Sequence, residues 1–135
     1  MEKILIVDDD HEVREMLGGN IALFGYEYDT AEDGLAAIDK LKGDNFSIVI
    51  SDIKMPNFDG IQLLQYIRKN YPFVDVIIVT GFGDKYSYVD VIKEGASDFL
   101  SKPFNIDELE AKLNRVIREQ RLIKELLELT ELLKK

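Results

Sequence analysis

Four short apolar runs, each ending in an acidic, hydroxyl or basic side chain, constrain this 135-residue chain more than any other feature. Ile4-Leu5-Ile6-Val7 runs into Asp8-Asp9-Asp10, and Ile48-Val49-Ile50-Ser51 runs into Asp52. Val76-Ile77-Ile78-Val79 runs into Thr80, and Phe99-Leu100-Ser101 runs into Lys102-Pro103. Runs this short and this rich in β-branched residues read as strands buried on both faces, the pattern of a parallel sheet. Ligands of such sheets bind beyond the carboxyl ends of the strands. Carboxylates, a hydroxyl and an ammonium are therefore expected at one edge, a composition suited to Mg²⁺ and a phosphoryl group.

Amphipathic segments separate the runs. Val13, Met16, Leu17 and Ile21 recur at helical spacing behind an acidic cluster that supplies a cap and first-turn acids. Gly25 ends that helix, and residues 26–30 alternate like a short strand. Leu35, Ile38 and Leu41 predict a second helix ended by Gly43. Ile61, Leu64 and Ile67 predict a third, closed by Asn70 and Pro72. Tyr88, Val89 and Ile92 predict a fourth, ended by Gly95. The alternation of strand and helix gives an α/β fold, a doubly wound parallel sheet with helices on both faces.

The last helix is unusually long. Asn105 is a fitting N-cap with Glu108 three residues on, and no Gly or Pro follows. Ile106, Leu109, Leu113 and Val116 form a face for the sheet. A domain of residues 1–120 is complete by then, yet leucines continue through residues 121–135: Leu122, Leu126, Leu129 and Leu133 step by four, three and four. Ile123, Leu127 and Leu132 widen that seam. It would be exposed in a monomer, so a homodimer through a short parallel coil, or a partner helix, is expected to cover it. The alternative is a linker toward an output domain that this sequence does not encode.

Composition removes several function classes. There is no cysteine, so a disulfide, a thiolate metal site and a cysteine nucleophile are all excluded. The single His11 excludes a multi-histidine metal site. Residues 105–135 hold 7 acidic and 7 basic side chains, so the whole net charge of −9 lies in the first 104 residues. Such a surface repels nucleic acid, and direct nucleic-acid binding is not expected. No apolar run approaches the roughly 20 residues of a membrane span, and no signal peptide is visible. A cytoplasmic location with no membrane association is the expectation.

Together, these motifs over about residues 3–120 resemble the receiver domain of two-component response regulators. The resemblance rests on the acidic pair of Ile-Val-Asp8-Asp9 and on Asp52 in Ser-Asp-Ile-Lys-Met-Pro-Asn-Phe-Asp-Gly. It continues through Thr80 in Ile-Ile-Val-Thr-Gly and closes with Gly95-Ala96-Ser97-Asp98-Phe99-Leu100-Ser101-Lys102-Pro103-Phe104. It implies a five-stranded parallel sheet in order 2-1-3-4-5 flanked by five helices, the last extended. It also implies a phosphoacceptor signalling domain that acts only on itself, with a sensor histidine kinase as partner.

Carried over residue by residue, the resemblance makes Asp52 the phosphoacceptor, as carboxylates can be when their charge is neutralised and the donor lies in line. Asp9 and Asp52 would hold Mg²⁺ directly, Asp8 through water, and the Lys54 backbone carbonyl would add an oxygen. Lys102 would pair with phosphoryl oxygens, and Thr80 would hydrogen-bond one of them once Asp52 is modified. Phe99 takes the position of the switch aromatic, and without a hydroxyl its movement would be driven by burial. Each residue also has a structural role open to it: Asp10 as a helix cap, Thr80 as a good strand former, Phe99 as core. Gly81-Phe82-Gly83 predicts a mobile loop whose Phe82 closes over the acyl phosphate and slows its hydrolysis.

Two rival chemistries meet specific obstacles. His11-Glu12-Val13-Arg14 looks like the start of a histidine-kinase phosphoacceptor helix, but no Thr-Pro follows and no glycine-rich nucleotide box exists. A phosphate-ester hydrolase with an Asp nucleophile generally needs a second acid two residues on, where this chain has Lys54. A receiver-like domain that only binds a partner would not need the full acidic group.

Overall fold

The computed structural model of the chain describes residues 2–81 and 86–134. Its elements run β1 (Lys3–Val7), α1 (His11–Leu23), β2 (Glu27–Ala31), α2 (Gly34–Gly43), β3 (Ile48–Asp52), α3 (Gly60–Asn70), β4 (Asp75–Thr80), α4 (Tyr88–Lys93), β5 (Asp98–Ser101) and α5 (Ile106–Leu133). The strands form one parallel sheet in the order β2-β1-β3-β4-β5, as the resemblance implies. Every side chain from Ile4 to Val7 and from Ile48 to Asp52 is buried, so these strands are covered on both faces. β2 pairs only with β1, which makes it an edge, and its outer residues Glu27 and Tyr28 are exposed.

Register decides where the chemistry lands. Val7 pairs with Ser51, Asp52 with Val79, and Thr80 with Ser101. The carboxyl ends of four neighbouring strands are therefore flush, and the residues that follow β1 and β5 stand beside Asp52 and Thr80. The Lys102–Pro103 peptide is cis.

Each helix opens on a side-chain cap. The Asp10, Asp33, Asp59, Ser87 and Asn105 side chains accept backbone N–H groups of the first turns of α1 to α5, and both α3 and α4 carry a complete capping box. Those caps set helix phase, and here several predicted stripes need correction. In α1, Met16 is 50 % exposed while Gly18 is buried, because the Tyr28 ring stands 2.6 Å from where a Gly18 Cβ would be. In α2, Leu41 is buried as predicted, but Ala37 is buried beside it and Leu35 is half-exposed. In α4, Ser87 as N-cap turns Val91 inward and leaves Tyr88 and Val89 exposed.

Between its caps Asn105 and Lys134, α5 runs as one continuous helix from Ile106 to Leu133. Its buried residues are Leu109, Leu113, Val116 and Ile117, with Ile106 more exposed than its stripe suggests. From Leu122 to Leu133 every leucine and Ile123 is at least half exposed, as the sequence predicts for a seam without a partner.

Candidate functional site

Asp8 follows the last residue of β1 and is buried; its neighbour Asp9 is exposed. The loop that carries them is held from two sides. The Asp10 N–H donates to Asp8 Oδ1 at 2.9 Å, and Arg14 Nη1 reaches back from α1 to the Asp8 carbonyl at 2.6 Å. Asp52 closes β3, also buried, with Oδ1 accepting from its own neighbour, the Ile53 N–H, at 2.9 Å. Ser51 Oγ donates to the Asp52 carbonyl at 2.9 Å. One oxygen from each of Asp8, Asp9 and Asp52 lies within 4.8 Å of the others.

Lys102, just past β5, completes this cluster. Its Nζ lies 3.3 Å from Asp8 Oδ2 and 3.3 Å from Asp52 Oδ2. One ammonium thus serves two buried carboxylates. Burial, with the Asp8 charge adding to it, raises the Asp52 pKa above the ordinary carboxylate value despite Lys102. Burial of Lys102 opposes its charge, but Asp52 and Asp8 outweigh that and raise its pKa. The predicted group Asp8, Asp9, Asp52 and Lys102 is therefore one constellation.

The donor set suits Mg²⁺. All three side chains offer carboxylate oxygens, the hard ligands that this ion prefers, and the cluster carries more negative than positive charge. The Lys54 carbonyl belongs to the loop that follows Asp52, and the Lys54 side chain is exposed. Thr80 ends β4 on the same edge, but its hydroxyl faces β5: Oγ1 lies 3.3 Å from the Leu100 carbonyl and 3.5 Å from Ser101 Oγ. Phe99 packs against Tyr88, with ring centroids 4.4 Å apart and planes tilted by 53°. Phe82 and Gly83, the proposed cover and its hinge, lie outside the described residues. His11 stands apart in the first turn of α1, exposed, with Nε2 3.2 Å from Glu15 Oε1.

The sequence assigns Arg14 and Ser101 no role at this edge. Arg14 enters only as the last residue of the His11–Arg14 tetrapeptide, with no sign that it reaches the Asp8 carbonyl, and Ser101 reads as one more strand residue until the β4–β5 register sets it beside Thr80.

The raised Asp52 pKa has a stability consequence. The folded state holds the Asp52 proton more tightly than the unfolded chain, so raising pH through this range costs stability. Above it, charged Asp52 opposes folding of the metal-free protein. Asp52→Asn should raise stability in EDTA near pH 7, an advantage that fades as pH falls below the carboxylate range. Millimolar Mg²⁺ should reverse the order: wild type gains about 2.7 kcal/mol at a hundredfold excess over Kd, and the variant gains less. Thermal melts with and without MgCl2 test both; a wild-type melt indifferent to Mg²⁺ contradicts the cation site.

Known proteins share this fold and part of this sequence. The family model of the response regulator receiver domain matches residues 4–114. The response regulator protein FleR of Pseudomonas aeruginosa is 40% identical over 116 residues, covering 86% of this chain and 24% of its own length. The regulatory protein AtoC of Escherichia coli is 35% identical over 126 residues, covering 93% of this chain and 27% of its own. This chain thus spans about a quarter of the length of both relatives. Among solved structures, a response regulator receiver domain protein from Clostridium thermocellum superposes with a TM-score of 0.86 at 30% identity, covering 91% of this chain and 99% of that one. NtrX from Brucella abortus gives 0.88 at 32% identity, over 96% of this chain and 30% of its own.

Proposed function

The chain belongs to the response regulator receiver domains of two-component signalling, and on that premise we propose that it takes a phosphoryl group onto Asp52 from the phosphohistidine of a sensor histidine kinase. The observation that carries this reading is the buried Asp52 carboxylate, paired with Lys102 at 3.3 Å and set within 4.8 Å of Asp8 and Asp9.

A carboxylate oxygen of Asp52 attacks phosphorus as the bond from phosphorus to the donor imidazole nitrogen breaks. The imidazole keeps that electron pair, and the product is an aspartyl phosphate. Lys102 already lies against Asp52 Oδ2, so its ammonium meets phosphoryl oxygens without a large movement. Asp9 and Asp52, with Asp8 and the Lys54 carbonyl, would hold Mg²⁺, which when bound neutralises charge on the phosphoryl oxygens. The exposed Lys54 stands where a hydrolase would carry its second acid, which favours a phosphoacceptor that turns over only itself.

Thr80 is the switch group. Its hydroxyl must leave the Leu100 carbonyl and Ser101 to reach a phosphoryl oxygen. Phe99, the switch aromatic that packs against Tyr88, would then rotate inward into the space Thr80 vacates. Phosphorylation would thereby shift a pre-existing equilibrium between two arrangements. Residues 1–120 form the receiver, and the remainder of α5, to Leu133, serves as a homodimer seam or a linker; the exposed leucines from Leu122 onward support the seam. The acidic charge of the first 104 residues argues against nucleic-acid binding by this chain. Among the described residues no helix is long and apolar enough to cross a membrane; a cytoplasmic site of action accords with the proposed donor.

Incubation with MgCl2 and acetyl phosphate, followed by intact mass, tests the reaction. A phosphate adduct should form, require Mg²⁺ and disappear in hydroxylamine. A protein that gains no mass, and whose melt ignores both Mg²⁺ and beryllofluoride, would refute it.

A further inference from the structure

The loop between β3 and α3 is moored at both ends. At its base the Gly60 N–H donates to the Ile53 carbonyl at 2.8 Å. At its far end the Gly34 N–H, at the start of α2, donates to the Phe58 carbonyl at 3.2 Å. Beside that bond Asn57 Nδ2 donates to Asp33 Oδ2 at 3.4 Å, while Asp33 Oδ1 caps α2 by accepting from the Ala36 N–H at 2.8 Å.

Only glycine fits at position 34. A Cβ there would stand 2.5 Å from the Phe58 carbonyl oxygen and 2.6 Å from Phe58 Cδ1, and the carbonyl cannot swing aside as a side chain would. Asn57 has a φ of 70°, the left-handed region, so the loop is turned sharply where α2 holds it. Lys54 lies between the two moorings. The connection from β2 to α2 carries none of the groups assigned to the site, yet it fixes the loop that does.

We propose that the Asp33–Gly34 mooring is a positioning element for the cation site, holding the β3–α3 loop so that the Lys54 carbonyl stands ready beside Asp52. This rests on the cation-site reading above. A ligand oxygen already in place requires little ordering when the ion binds. Supports behind a metal ligand typically change affinity by about 10–100-fold when removed. The N-terminal end of α2 is thereby coupled to cation affinity, and through it to phosphorylation.

The test uses the full chain and MgCl2 alone, by isothermal titration calorimetry at a temperature where every variant is folded. Gly34→Ala should raise the Mg²⁺ Kd about tenfold, with every proposed ligand still present. Asn57→Gly, which keeps the left-handed backbone, should raise it less, since it removes a single long hydrogen bond. Loss of stability is separated by the double variant Gly19→Ala/Gly34→Ala. Gly19 lies inside α1 with nothing within 4 Å of its would-be Cβ, so alanine there strengthens the helix and recovers melting temperature. The double variant should melt higher than Gly34→Ala and keep its raised Kd. A Gly34→Ala Kd equal to that of wild type would overturn the positioning role. So would a double variant whose Kd returns to wild type along with its melting temperature. A wild type that binds no Mg²⁺ would overturn the cation site itself, and this proposal with it.

Discussion

Asp52→Asn, incubated with MgCl2 and acetyl phosphate, should gain no phosphate, a loss of at least about a thousandfold in modification rate. Asparagine nearly matches aspartate in shape and can still accept the Ile53 N–H, so the end of β3 is kept. What disappears is the anionic oxygen proposed to attack phosphorus. Asp8, the other buried carboxylate in the cluster, is no substitute: its Oδ1 accepts from the Asp10 N–H, and its loop is tied to Arg14. Intact mass with a time course on both proteins checks this. An adduct on the variant that grows at the wild-type rate would place the chemistry elsewhere.

The second large effect is on folding. Gly60→Ala should destabilise the protein by about 3 kcal/mol, at the upper end of what overpacking usually costs. An added Cβ would stand 2.1 Å from the Asp52 carbonyl oxygen, and 2.9 Å from both the Asp52 carbonyl carbon and Ile53 Cα. All three are backbone atoms, so relief requires moving the end of β3 or the start of α3. Either movement strains the bond from the Gly60 N–H to the Ile53 carbonyl and shifts Asp52. For a chain of this size the melting temperature should fall by roughly 10 °C. Gly43→Ala is the control, since nothing lies within 4 Å of its would-be Cβ. Thermal denaturation of the two variants in parallel would show it; equal melting temperatures would contradict the crowding at position 60.

The strands β1, β3 and β4 were legible because each is a continuous apolar run rich in β-branched residues that leads into a polar group, and parallel register then aligns those ends without further information. The sequence pattern alone thus assigns Asp8, Asp9, Asp52 and Lys102 to one edge. Helix phase was less legible. Met16 and Leu35 are more apolar than Gly18 and Ala37, yet the smaller residues face inward; at Gly18 the Tyr28 ring already fills the space beside the helix. Periodicity measures hydrophobicity along one helix and carries no record of how close its neighbours stand. The same limit hid the Gly34–Phe58 contact and the grip of Arg14 on the Asp8 carbonyl, both of which depend on approach between segments distant in sequence or on backbone groups that every residue has. Thr80 shows a third case: its position was legible, but the parking of its hydroxyl on Leu100 and Ser101 follows only from the β4–β5 pairing.

Mapping the phosphorylated residue tests the central claim most directly. Borohydride reduces an aspartyl phosphate to homoserine, which leaves a permanent mark in the peptide chain. After treatment with MgCl2 and acetyl phosphate, reduction and digestion, homoserine should be found at position 52 and nowhere else. Homoserine at position 8 or 9, or an unreduced phosphate that survives alkali on His11, would contradict the assignment of Asp52 as phosphoacceptor.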